Sequence, residues 1–283
     1  MSEELGQAGA SGGPEARRRS VTACVLMIGD EILSGRTRDA NLSHIAKQLN
    51  EVGIQVREAR VIPDIEDKIV AVLNEARADY DYVFTTGGIG PTHDDITADS
   101  VAKAFGVGID YNPEAMELLS AHYKETGGEF TEARMRMARI PFGATLIANP
   151  VSKAPGFQMG NVFVLAGVPM VMQVMLDNLM DRLEGGAKML SRTVSAAVGE
   201  GQLAAPLKEL QGRFPEVNLG SYPYFRERQF GVSLVARGTD SELLDRIEGE
   251  LKAMIRALGA EPMDEPPAPA GAAANRPLGA SAD

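Results

Sequence analysis

Two adjacent carboxylates, Asp94 and Asp95, sit inside a glycine-rich run, Thr85-Thr86-Gly87-Gly88-Ile89-Gly90-Pro91-Thr92-His93-Asp94-Asp95-Ile96-Thr97. Glycines let a backbone take positive φ and bring its N–H groups close to an anion, and a helix starting after the run would add partial positive charge. Carboxylates beside a phosphate repel it unless a divalent cation lies between them. The pattern therefore points to hard-cation ligation (Mg²⁺, Mn²⁺ or Co²⁺) of a phosphorylated ligand. A second acidic run, Gly29-Asp30-Glu31-Ile32-Leu33-Ser34-Gly35, followed by Asp39 and Asn41, supplies Asp30 as a third candidate ligand. Asp30, Asp94 and Asp95 are thus the candidate metal-holding and catalytic residues. The competing reading is a tight turn with solvated, capping acids.

Both runs need a scaffold. Val21 to Ile28 is an apolar stretch of strand length, and Tyr82-Val83-Phe84 is a short buried-strand signature, so each acidic run follows a strand's C-terminal end. In open parallel sheets ligands collect there. Thr97 is a candidate cap for a helix over 98–105 that stops at Gly106. Asp39 is a candidate cap for a helix carrying Leu42, Ile45, Ala46, Leu49 and Val52 and stopping at Gly53. Another helix begins at Pro113. These elements predict a mostly parallel α/β sheet over 21–185. From Arg192 the pattern is strand (192–198), helix (202–211), strand (217–222), strand (230–236) and helix (241–258), a small α+β domain over 190–258.

The chain has 283 residues, 44% of them hydrophobic and 24% charged, enough for one large core and a small second one. No apolar run reaches the roughly 18 residues of a membrane span. The first residues lack an apolar signal-peptide core, and the stretches 1–20 and 259–283, rich in Gly, Ala and Pro, read as disordered tails. A net charge of −11 disfavours nucleic acid and acidic lipid as partners. The single cysteine, Cys24, falls in an apolar strand and suits a reducing, cytoplasmic setting. His44 and His122 read as structural or solvated. His93, beside two acids, is a candidate base or phosphate contact. Arg134, Arg136 and Arg139 could reach a phosphate but read better as an exposed basic face. No paired histidines or cysteines offer zinc a ligand set.

The residues also carry a family resemblance. Gly29-Asp30-Glu31 with Asp39-x-Asn41, the Thr86-to-Thr97 loop, Asn149-Pro150, Ala154-Pro155-Gly156-Phe157 and Ala166-Gly167-Val168-Pro169 resemble the molybdopterin-binding (MoaB/Mog-like) domain. They are closest to its form in the competence/damage-inducible protein A (CinA) family. The segment Gly220-Ser221-Tyr222-Pro223 is similar to the module that follows this domain in CinA-like proteins and in the N-terminal half of eukaryotic FAD synthases. The resemblance implies a three-layer α/β/α fold and a homo-oligomer, dimer or trimer. It also implies a nucleotide or pterin-phosphate ligand contacted by Gly29, Ser34, Gly35, Asn41, Thr86, Gly87, Gly88, Gly90, Thr92, Thr97, Gly167 and Pro169. Three function classes follow: a metal-dependent pyrophosphatase acting on ADP-ribose or FAD, which leads; a molybdopterin or molybdopterin-AMP binder; and a non-catalytic nucleotide-binding module.

Overall fold

In the computed structural model, which describes residues 20–226 and 229–264, Val21–Ile28 forms strand β1, buried from Ala23 to Ile28. Successive side chains of a strand point to opposite faces, so a fully apolar strand needs cover on both. It has that cover. Cys24, Leu26 and Ile28 join one core, and Ala23, Val25 and Met27 join another.

The chain continues through α1 (Asp30–Leu33), α2 (Asn41–Glu51), β2 (Ile54–Ile62), α3 (Glu66–Asp79), β3 (Tyr82–Thr86) and α4 (Thr97–Phe105). Then come β4 (Ile109–Tyr111), α5 (Pro113–Thr126), α6 (Glu132–Met135), β5 (Arg139–Pro141), β6 (Thr145–Ile147), β7 (Gly156–Met159), β8 (Val162–Leu165) and α7 (Pro169–Leu179). The main sheet has the order β2-β1-β3-β8-β7-β6. Its first four strands are parallel, and β7 runs antiparallel to both neighbours. Ile69 and Leu73 of α3, Val101 of α4 and Leu119 of α5 fill one core; Ile45 and Leu49 of α2 with Met172 and Leu176 of α7 fill the other. Helices therefore cover both faces, the expected three-layer arrangement.

Both helix ends beside the candidate loops are resolved in detail. Asp39 stands one residue before the cap position, Ala40, and from there its carboxylate accepts from the first helix amides, Asn41 and Leu42, at 3.2 and 3.1 Å. Thr97 does not cap α4. It is the first helical residue, and its hydroxyl donates backward to the Gly87 carbonyl at 3.0 Å. Cys24 is buried as expected, and desolvation pushes its thiol up to about 11.

Residues from Met189 onward form a separate unit. It contains β9 (Leu190–Ala196), α8 (Glu200–Arg213), β10 (Asn218–Arg226), β11 (Gln229–Gly238) and α9 (Ser241–Ala257), with antiparallel sheet order β10-β11-β9. Val194, Leu203, Leu234, Ile247 and Leu251 lie in its core, and the Asp240 carboxylate caps α9 through the Leu243 amide at 3.0 Å. Residues 259–264, where a disordered tail is expected to begin, are tied to the small sheet. Met263 exchanges two 2.7 Å backbone hydrogen bonds with Ser195, adding a bridge to the sheet. The N-terminal tail through residue 19 and residues 265–283 lie outside the described residues.

Candidate functional site

Parallel strands β2, β1, β3 and β8 end level with one another: Ile28 is in register with Ile62, Met27 with Thr86, and Thr86 with Leu165. The chain leaves β1 toward β2 on one side, whereas β3 is followed in the sheet by β8 on the other. The loops after β1 and β3 therefore diverge at a topological switch point, where open α/β sheets form a ligand crevice. Gly29 and Gly88 follow these two strands on the same sheet edge.

The loops interlock at their bases. Gly87 takes φ 100°, its amide donates to Leu165 at 3.2 Å, and a Cβ there would strike the Ile28 carbonyl. A Cβ on Gly167 would lie 3.3 Å from the Gly87 Cα, so two loops meet with no room for a side chain. Asn41 Nδ2 donates to the Gly167 carbonyl at 2.8 Å, tying in the loop after β1. Thr97 secures the glycine loop with its hydroxyl on Gly87 and its amide on Gly88, both at 3.0 Å. Gly88 has φ 68°, and its missing Cβ faces the Thr97 hydroxyl rather than the open side of the loop.

Above this base, polar groups remain unpaired. Among the described residues the N–H groups of Gly88, Ile89 and Gly90 donate to no protein acceptor. Asn41 Oδ1 is buried with no partner. The glycine loop lines a cavity with Asp95, Arg136 and Arg139, and the two arginines also line a separate, more open pocket with Tyr111 and Glu132. Unpaired amides in a positive-φ turn form an anion-accepting concavity.

The acids divide differently from the sequence expectation. Asp95 is engaged within its own loop through one carboxylate oxygen. Its Oδ2 accepts from the Thr92 amide at 2.7 Å and hydroxyl at 2.5 Å, closing the loop on itself. Asp64, on the loop after β2, joins the others instead: its Oδ2 accepts from the Asp30 amide at 2.9 Å. Burial pushes the Asp64 carboxyl up, and the charges of Asp30, Glu31 and Asp94 add to the rise, outweighing that hydrogen bond. Asp94 is held below the ordinary carboxylate range; Thr92 stands beside it, but the one hydroxyl proton of Thr92 goes to Asp95, which leaves Asp94 its own backbone amide and His93 as causes.

Among the described residues no three acidic, histidine or cysteine groups stand as a ready-made metal cage. Asp30, Glu31 and Asp94 are near enough for their charges to raise Asp64. Mg²⁺ commonly keeps several waters and binds through one or two carboxylates plus ligand phosphates.

Several expected contacts serve the loops themselves. Ser34 Oγ donates to the Glu31 carbonyl at 3.2 Å, and Gly35 takes φ 71° in the same turn. Thr86 is buried at the end of β3, and Pro169 opens α7 at its first position. His93 is 99% exposed and 4.0 Å from Asp94, in contact with no other candidate group. Arg139 is half-buried and pairs bidentately with Asp99, so the expected exposed basic face is only partly exposed.

Residues 24–185 match the family model described as "Probable molybdopterin binding domain". The chain belongs to that family. Residues 188–263 match the "FAD synthase, middle domain". A CinA-like protein of Citrifermentans bemidjiense is 35% identical over 256 residues, covering 85% of this chain and 60% of the relative. A probable FAD synthase of Caenorhabditis elegans is 30% identical over 258 residues, covering 83% of this chain and 50% of the relative. The match thus spans 60% of the first relative's length and half of the second's. The crystal structure of CinA from Thermoplasma acidophilum superposes with TM-score 0.53 at 34% identity, covering 58% of this chain and 98% of that one. The molybdopterin-binding-type domain thus coincides with the unit carrying the crevice. Among the described residues no helix is long and apolar enough to cross a membrane.

Proposed function

We propose that the molybdopterin-binding-type domain is a metal-dependent pyrophosphatase that splits the phosphoanhydride of a dinucleotide-like substrate, ADP-ribose or FAD. The observation that carries this reading is the pairing of opposites at one sheet edge. The unpaired amides of Gly88 to Gly90 invite phosphate, while the acids Asp30, Glu31 and Asp94 gather around Asp64 and raise it by their charge. A divalent cation, when bound, would reconcile the two, polarise the phosphoanhydride and activate water.

The chain's own residues then have distinct tasks. Asp30 and Asp94 hold the cation (Mg²⁺, Mn²⁺ or Co²⁺), and Asp64 adds charge while fixing the Asp30 backbone. Asp95 holds Thr92 and thereby the shape of the loop. Backbone N–H groups aimed at phosphate oxygens lower the cost of charge shifting during cleavage. The free Oδ1 of Asn41 accepts an N–H or O–H from the ligand. Val168 and Met170, 60% and 62% exposed beside the Gly167 loop, offer apolar surface to a ring.

The test is a substrate panel of ADP-ribose, FAD, NAD and molybdopterin-AMP, with Mg²⁺, Mn²⁺, Co²⁺ or chelator. Metal-dependent release of a mononucleotide from ADP-ribose or FAD is expected. Saturable binding of molybdopterin or molybdopterin-AMP without cleavage of any member would favour the second reading, a pterin-phosphate binder, which the family match supports.

A further inference from the structure

Arg136 stands apart from the arginines around it. Arg139 is neutralised by Asp99 through bonds of 2.9 and 2.7 Å. Arg134 donates to the Glu129 carbonyl at 2.5 Å and lies over the Tyr123 ring at 4.3 Å. Arg136, among the described residues, has no carboxylate within ion-pair distance. Its one hydrogen bond there runs from Nη2 to the Asp95 carbonyl at 3.5 Å, the outer limit of such a contact, and its Nε is buried without any partner. A guanidinium carries five donors and does not shed its proton. Leaving the Nε donor unmatched away from water is costly unless an oxygen acceptor arrives.

The surroundings identify what would arrive. Arg136 lines the same cavity as Gly88 and Gly90, whose amides also lack acceptors, and it lines a second, more open pocket with Tyr111 and Glu132. A ligand in the cavity is therefore offered both a planar fork and backbone N–H groups. A phosphoryl group has the oxygens for both, and arginine recognises it bidentately.

We propose that Arg136 is the phosphate clamp of this site, gripping the diphosphate of a nucleoside diphosphate moiety against the glycine loop. The proposal rests on the reading that the site takes a phosphorylated ligand, but not on its hydrolysis. Arg139, held by Asp99 on α4, is a positioning residue that shapes the cavity wall.

The experiment is calorimetric titration of the full chain with ADP and with inorganic pyrophosphate, each with Mg²⁺, on the wild type, Arg136→Gln and Arg136→Lys. Losing a charged, bidentate partner should weaken both probes by roughly 10- to 100-fold in Arg136→Gln. The far-UV circular dichroism should stay unchanged. Arg136→Lys keeps the charge without the fork, so it should recover part of the loss for both probes; it also carries the test if Arg136→Gln does not fold. Unchanged affinities overturn the clamp. So does a loss confined to ADP, which would put Arg136 on the nucleoside, and so does a wild type that binds neither probe. Arg136-dependent binding of both probes without cleavage of any panel substrate would remove the pyrophosphatase and keep the clamp.

Discussion

Gly88→Ala should destabilise the molybdopterin-binding-type domain by roughly 2–5 kcal/mol, and the sum has two separable parts. At φ 68° an L-residue costs about 1–2 kcal/mol. The new Cβ would also overlap the Thr97 hydroxyl, and Thr97 is fully buried with no outward path. Displacing it breaks the 3.0 Å bond to Gly87 and leaves a buried donor and acceptor unpaired, about 1–3 kcal/mol. Gly35 supplies the control. Its φ is 71° with nothing within 4 Å of an added Cβ, so Gly35→Ala should show the backbone cost alone. In a domain of this size about 1 kcal/mol moves Tm by roughly 2–4 °C, so the Gly88 variant should melt about 5–15 °C lower. Because the two units can melt separately, hydrogen exchange of β1 and β3 amides should accompany calorimetry to report the correct one. Thr97→Ala removes the hydroxyl and leaves only its Cβ, 3.1 Å from the added carbon, so the double variant should lose about 1–2 kcal/mol less than the sum of the singles. Equal losses for Gly88→Ala and Gly35→Ala, or strict additivity with Thr97→Ala, would refute the reasoning. The Cβ points at Thr97 and not at the open side of the loop, so folded Gly88→Ala should retain ADP affinity within a few-fold.

Other perturbations separate the roles at the sheet edge. Asp64 titrates above the ordinary carboxylate range, so its ionisation opposes folding as pH rises through its raised pKa. Asp64→Asn should therefore raise Tm near neutral pH and lose that advantage below pH ~3.8, where both states of the wild type are protonated. Added Mg²⁺ should stabilise wild type more than Asp64→Asn, and equal stabilisation would count against an acidic cation site. Asp94→Asn and Asp30→Asn should each lower metal-dependent turnover roughly 10- to 100-fold, whereas His93→Ala should leave it unchanged. A large His93→Ala loss would move the chemistry outward. Asp95→Asn should lower Tm and turnover together, because it loosens Thr92; turnover lost at constant Tm would return Asp95 to the metal. Light scattering at micromolar concentration should show a homo-oligomer, and a monomer would remove that expectation.

The strands and helices that frame the site were legible because their residues obey local rules. The apolar run Val21–Ile28 can be stable only when covered on both faces, and the helix after Asp39 shows both the carboxylate that satisfies its first amides and its apolar stripe. The small unit was legible for the same reason, each of its five elements falling within a few residues of its expected bounds. The short glycine-flanked strands β7 and β8 announce themselves less clearly. They are four residues each, and their burial derives from neighbours in the sheet.

Side-chain partnerships across the sheet edge follow another logic. Thr97 has the type and position of a helix cap, yet a carbonyl ten residues earlier competes for its hydroxyl and wins, because Gly87 lies folded against the helix start. Asp95 looks like the twin of Asp94 until Thr92 claims its carboxylate. Asp64 is one aspartate in a Pro63-Asp64 turn; only the register of β2 beside β1 brings it to Asp30. Reading Ile54–Ile62 as a strand ending at the same sheet edge would have supplied the missing signal. Arg136 is the limiting case, since in sequence it differs little from Arg134 and Arg139. What distinguishes it is that Asp99 and the Tyr123 ring occupy its neighbours and none of the described acids pairs with it. A cation left unpaired next to amides left unpaired is a property of three segments brought together. The site's acids could thus be proposed from strand ends, while its anion-binding side emerges only from the tertiary arrangement.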